Sequence, residues 1–143
     1  MTESLHIKDQ LQIQMVVQTF FRILSGKTNE DRDWDRLEQL FAGKAQLVPF
    51  RIRGSKVSLK IYSIHAFIQR LKGLLSRSNL FQYGYQTVYR CAGNSVLACC
   101  FFEAIEDSKF RTRLKKGCHL IQLSRHEEIW RIEHMVWEDD QLA

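Results

Sequence analysis

The sequence predicts an α+β fold in which three helices pack on a mainly antiparallel sheet. Two patterns predict it: apolar residues recur at helical spacing in the first half, and from Leu80 onward they alternate as in strands. The third observation is turn chemistry, with Gly93-Asn94 and Asp107-Ser108 placed as hairpin tips inside the alternating region.

Residues 5–24 set Ile13, Val17, Phe20 and Leu24 on one helical stripe, and Gly26 follows as a stop. In "NEDRDWDRLEQLFAG", Asn29, Asp31 or Asp33 can cap a short second helix. It carries Trp34, Leu37, Leu40 and Phe41 on one face and ends at Gly43. Residues 45–52 read as a strand with Val48, Phe50 and Ile52 on one face, and Pro49 confines it to an edge or a bulge. Gly54 turns the chain into "VSLKI", a second extended segment. Ser63 then caps a third helix, whose stripe is Ile64, Phe67, Ile68, Leu71 and Leu75.

The remaining strands form a four-strand meander. Around Gly93-Asn94, Ala92 should face Ser95 and Tyr85 should face Phe102. Around Asp107-Ser108, Ile105 should face Phe110 and Glu103 should face Thr112. The turn at "SRHEE" should pair Leu123 with Ile129 and Cys118 with His134.

With 143 residues, 45% of them apolar, and one proline, the chain reads as one domain over 1–143 with room for a core. Its apolar stretches are short and broken by charge. No span and no signal-peptide core is evident, and a cytoplasmic protein is expected. Cys91, Cys99, Cys100 and Cys118 make no CxxC pair and read as reduced, buried thiols. The net charge of +5 permits an acidic partner, but no nucleic-acid reading motif accompanies it. "KFRTRLKK" reads as a solvated face with cross-strand charge pairs, ahead of a phosphate or nucleic-acid site.

The order helix, helix, strand, helix, meander, closed by Trp130, Arg131, Ile132 and His134, resembles the nuclear transport factor 2-like superfamily. That superfamily includes SnoaL-like polyketide cyclases and ketosteroid isomerases. The final strand also resembles that of the association domain of calmodulin-dependent kinase II, although Val136 stands where a second histidine often follows. The resemblance implies a cone in which a curved sheet wraps the helices around a pocket, with pairing of copies through the outer sheet face. Ketosteroid isomerases use a tyrosine in the first helix and an aspartate near the first strand. Here no tyrosine precedes Tyr62 and residues 44–53 hold no carboxylate, so those roles do not carry over.

Alternation sorts the sheet into two faces. One collects Leu97, Cys99, Phe101, Glu103, Ile105, Phe110, Thr112, Leu114, Cys118, Leu120, Trp130, Ile132 and His134, and is expected to be concave. The other includes Tyr83, Tyr85, Phe102, His119, Ile121, Leu123, Met135 and Trp137. It is expected to be a homodimer interface with a basic rim, centred on Tyr85, Phe102, Ile121, Met135 and Trp137. A bulge at Gly117 would exchange the faces of every later residue.

On this reading His134 is the candidate acid or base inside the cone, with Glu103 as a second inward titratable group. Trp130, Phe50, Phe101 and Trp34 are the candidate ligand-binding residues. Glu103 and His134 lie too far apart along the strands to act as a dyad. His65 reads as a capping or surface residue, and His119, His126 and His134 do not converge on a metal position. No phosphate loop or nucleophile motif is present, so the expected function is cofactor-free: binding of a small, largely apolar ligand, with proton transfer as the chemistry open to it. The alternative is a noncatalytic dimerisation or interaction module.

Overall fold

The computed structural model describes residues 5–140 and 142. Helix α1 (Ile7–Leu24) buries Ile13, Val16, Val17, Phe20, Phe21 and Leu24, the stripe its spacing predicts. It ends at Ser25, whose hydroxyl donates to Gln82 O at 2.8 Å and accepts from Gln82 N at 2.9 Å, tying the helix end to the sheet. Helix α2 (Trp34–Gln39) starts at Asp33, whose carboxylate accepts from Arg36 N at 3.0 Å. It stops earlier than expected because Phe41 opens strand β1 (Phe41–Arg53), pairing with Ile132 of the last strand. A tertiary ladder thus overrides the glycine stop at Gly43.

Strand β2 (Lys56–Leu59) folds back on β1 through Gly54, whose φ of 61° suits glycine. Pro49 is tolerated one residue beyond the end of that ladder, which starts at Phe50↔Leu59. Helix α3 (Ile64–Leu75) is capped by Ser63 as its sequence predicts and buries Ile64, Phe67, Ile68, Leu71 and Leu75.

The long strands β3 (Ser78–Ala92), β4 (Ser95–Ser108), β5 (Thr112–His126) and β6 (Ile129–Glu138) complete a six-stranded sheet of order β2-β1-β6-β5-β4-β3. All pairs are antiparallel except β1 with β6. The α+β architecture with a curved sheet is the one expected. Among the described residues no helix is long and apolar enough to cross a membrane.

The hairpin Ala92↔Ser95 is in the expected register, but Tyr85 is bulged out and Gly84 faces Phe102 in its place. The β4–β5 tip spans Ser108–Arg111, because the Ser108 hydroxyl accepts from the Phe110 and Arg111 amides; Glu103 therefore faces Lys116, not Thr112. The β5–β6 turn uses Glu127 and Glu128 at φ of 51° and 64°, and Leu123 faces Ile132, not Ile129. Cys118 is likewise not opposite His134, which faces Gln122. Gly117 stays in register opposite Phe102. The bulge that changes the faces lies instead at Glu133, between Leu123↔Ile132 and Gln122↔His134.

The inside and outside of the sheet are the reverse of expectation. Val96, Ala98, Cys100, Phe102, Ala104, Ile121, Leu123, Met135 and Trp137 are buried against the helices. Leu97, Ile105, Leu114 and Leu120 are exposed on the outer face. Size complementarity explains the choice better than apolar count, since both faces are apolar. The inner face interleaves Ala98, Cys100, Ala104, Gly84 and Gly117 with large side chains, leaving room for α1 to press Phe20 and Phe21 onto the sheet. A Cβ at Gly84 would meet Cys100 Sγ at 2.9 Å and the Phe21 ring at 3.3 Å. Because of the Glu133 bulge, Trp130 and Ile132 stay inside together with Met135 and Trp137, so both tryptophans are core residues. Phe102, Ile121, Met135 and Trp137 are therefore not available as an outer interface; Tyr85 alone of that expected set is exposed.

Candidate functional site

Under the cone lies a cavity of about 280 Å³ between α1, α3 and the inner sheet face. Helix α3 contributes Phe67, Arg70, Leu71 and Leu74, one helical stripe by their spacing, and α1 contributes Phe20 and Leu24. The sheet supplies Phe102, Ala104, His119 and Trp137. At ~30 Å³ per water, the volume corresponds to about nine waters, the bulk of a small aromatic or short alkyl compound.

His119 stands in the aromatic part of this wall. It is only 6% exposed and sits among four rings, with centroids at 4.7 Å (Phe102), 5.6 Å (Phe21 and Trp137) and 5.7 Å (Phe20). Its Nδ1 is buried with no hydrogen-bond partner among the described residues. Burial, and secondarily the charge of Lys115, pushes its pKa down to about 3, so the imidazole is neutral near pH 7.

Charge gathers where the cavity opens. Arg70 pairs with Asp139, whose amide is held by Phe50 O at 2.7 Å. Arg113 bridges Glu106 at 3.4 Å and Asp140 at 2.6 Å, and Lys115 Nζ is 3.9 Å from Asp140. The hydrogen bond from Arg113 holds the Asp140 carboxyl below its ordinary range and raises the guanidinium in return. Arg70, Arg77, Arg113 and Lys115 line the cavity against two carboxylates, Glu106 and Asp139.

No protein-family model matches the sequence, and no curated protein is significantly similar to it. Solved structures do match in shape. A hexachlorocyclohexane dehydrochlorinase from Novosphingobium barchaimii superposes with a TM-score of 0.73 at 10% identity, covering 92% of this chain and 86% of that one. A proposed scytalone dehydratase from Novosphingobium aromaticivorans gives 0.69 at 10% identity, over 92% and 83%. A proposed Ca/calmodulin-dependent kinase II association domain from Exiguobacterium sibiricum gives 0.69 at 11%, over 96% and 95%. The chain has the nuclear transport factor 2-like fold.

Within this nuclear transport factor 2-like cone, none of the six residues singled out in the sequence lines the cavity. His134 is exposed on the outer face, its Nδ1 3.0 Å from Gln122 Oε1, because the Glu133 bulge turns it away from the helices. Glu103 is also on the outer face, accepting from the Tyr83 hydroxyl at 2.6 Å and pairing with Lys116 at 3.2 Å; those two contacts lower its pKa. Trp130 is buried but occupied in tying β6 to α1, its indole donating to Asp9 at 2.9 Å. Phe50 borders an outer depression with Leu114 and Leu120, and Phe101 is half-buried on that same face of β4. Trp34 packs at the core's margin beneath Lys72, 5.7 Å from the ring centroid. His119 was legible as an inner-face histidine beside Cys100, had the faces been sorted by side-chain size.

Proposed function

We propose that this chain binds a small, largely apolar organic ligand in the cavity beneath the sheet, with His119 as the group that meets the ligand's polar atom. The observation that carries the reading is the buried, neutral His119 ring in the cavity wall beside Phe20, Leu24, Phe67, Phe102 and Trp137, with the charged groups gathered where the cavity opens. A polar group set in an aromatic wall fixes a ligand's orientation by hydrogen bonding, which apolar contact alone does not. The proton-transfer role foreseen for His134 falls in this proposal to His119.

A neutral imidazole has one donor and one accepting lone pair. Forming imidazolium alone in this aromatic cage is opposed by burial, as the low pKa records. Proton abstraction is feasible only when the ligand becomes an anion at the same moment, so that the two new charges pair in the low-dielectric cavity. That confines the chemistry to ligands with an acidic C–H or O–H placed against the ring. The solved structures of the same fold include proteins named for dehydrochlorination and scytalone dehydration, which supports small-molecule chemistry as a use of such a cone. The test is a calorimetric screen of indole, phenylacetate and octanol against the wild type and Ala104→Trp. Stabilisation of the wild type by at least one probe, lost when the indole fills the cavity, supports the reading. Equal binding to both proteins refutes it.

A second reading concerns assembly. The outer face exposes Leu97, Ile105, Leu114 and Leu120 on adjacent strands, with Leu114 80% exposed. We propose that two copies pair through this face, with the Glu103–Lys116 pair inside it, between Ile105↔Leu114 and Cys99↔Leu120.

A further inference from the structure

A second feature adjoins the cavity. The β4–β5 tip and the end of α3 enclose a surface groove of about 590 Å³, and it shares Leu74, Arg77, Glu106 and Arg113 with the cavity. The two therefore adjoin at those side chains. Besides Ser78 and Ser108, the groove adds two cations and an aromatic: Lys109, Arg111 and Phe110, the last 89% exposed. Lys109 Nζ stands 5.9 Å from the Phe110 ring centroid.

The charges in the groove are unequally satisfied. Glu106 is engaged by Arg113, and the nearby Asp107 carboxylate accepts from Thr112 at 2.7 Å. Arg77, Lys109 and Arg111 have no ion pair among the described residues. Three uncompensated cations around one groove exceed what a single carboxylate neutralises, and the two guanidiniums offer the forked geometry that matches phosphate oxygens.

We infer that the cavity's ligand is an amphiphile with a phosphate-type head, its apolar body beside His119 and its head on Arg77, Lys109 and Arg111. The inference rests on the proposed cavity reading and specifies the ligand's charged end. It also gives a use to the basic run Lys109–Lys116 that cross-strand pairing leaves unexplained at Lys109 and Arg111. A bilayer surface is the competing occupant for an exposed aromatic flanked by cations. Adjacency to the cavity favours the small ligand, because a flat surface engages the tip but not the residues shared by groove and cavity.

The experiment compares octyl phosphate with 1-octanol by isothermal titration calorimetry on the full chain, alongside Lys109→Gln/Arg111→Gln. Octyl phosphate should bind at least about tenfold more tightly than octanol, the scale of one charge-assisted contact. The advantage should shrink as ionic strength rises. The double variant, which keeps Arg77, should remove most of that advantage, and an undiminished advantage overturns the inference. Equal binding of the two probes by the wild type overturns the head-group inference and leaves the cavity reading standing; no binding of either removes both. Co-sedimentation with phosphatidylserine vesicles, without any advantage for octyl phosphate, assigns the cations to a membrane surface and overturns the inference.

Discussion

His119 opposes protonation because it is buried among four aromatic rings, with the charge of Lys115 as a second cause. Its folded pKa of about 3 lies below the ordinary 6.5, so the unfolded chain binds a proton first as pH falls. The associated stability is fully present above pH 6.5 and is lost progressively from there towards pH 3, at up to about 1.4 kcal/mol per unit. Chemical denaturation at pH 7 and pH 5 should show a loss of stability in the wild type that His119→Leu reduces by 1–2 kcal/mol, roughly the linkage over that interval. An unchanged pH dependence contradicts the burial account. Gly117 makes a second residue-scale test, since a Cβ there would meet Phe102 Cε1 at 2.9 Å and Cζ at 3.0 Å. Gly117→Ala should cost about 1–3 kcal/mol in denaturant unfolding, as the ring is forced off its position. At this scale the sequence was least legible: alternation groups residues by face, but which face meets the helices depends on side-chain volume across the sheet, and His119 is read correctly only once that is known.

The helices were legible as elements because their stripes and caps are local. Ser63 caps α3 as expected, Asp33 is the one of the three candidates that caps α2, and the buried positions of α1 and α3 are those of the helical period. Strand registers were less so, since tip geometry and bulges are set by pairs distant in sequence. The β4–β5 pairing moved when Ser108 closed a longer tip, yet it moved by an even amount, so the two-face grouping survived. The bulge at Glu133 did change the grouping: it keeps Trp130 and Ile132 inside while turning His134 outward. Deleting Glu133 should force one half of β6 to present its apolar side chains to solvent. The deletion should unfold cooperatively at a far lower denaturant midpoint than Glu133→Ala. That substitution loses only the ion pair with the exposed His126, a contact worth about 0–1 kcal/mol. Similar midpoints for the two variants would falsify the bulge as the device that sorts the strand.

Across the whole molecule, both sheet faces are apolar, and only one is covered by helices. The outer face, with Leu97, Ile105, Leu114 and Leu120, is the surface through which two copies should pair. Leu120→Glu should shift the mass measured by light scattering at micromolar concentration from dimer to monomer while leaving the fold intact, because an unpaired carboxylate buried in an apolar contact costs several kcal/mol. A monomeric wild type contradicts the pairing. Trp137→Asp, in contrast, should unfold the protein, since that indole is in the core against Phe67. The cone itself was predictable from element order, but the cavity lining was not, because it is assembled from α1, α3 and four strands only after the faces are assigned. The most direct measurement of the cavity account is an NMR titration with indole, following the His119 ring. Its imidazole signals should shift along the same isotherm that calorimetry gives, and the shifts should vanish in Ala104→Trp. Shifts confined to the outer-face residues Leu114 and Leu120, with His119 unmoved, would contradict ligand binding beneath the sheet.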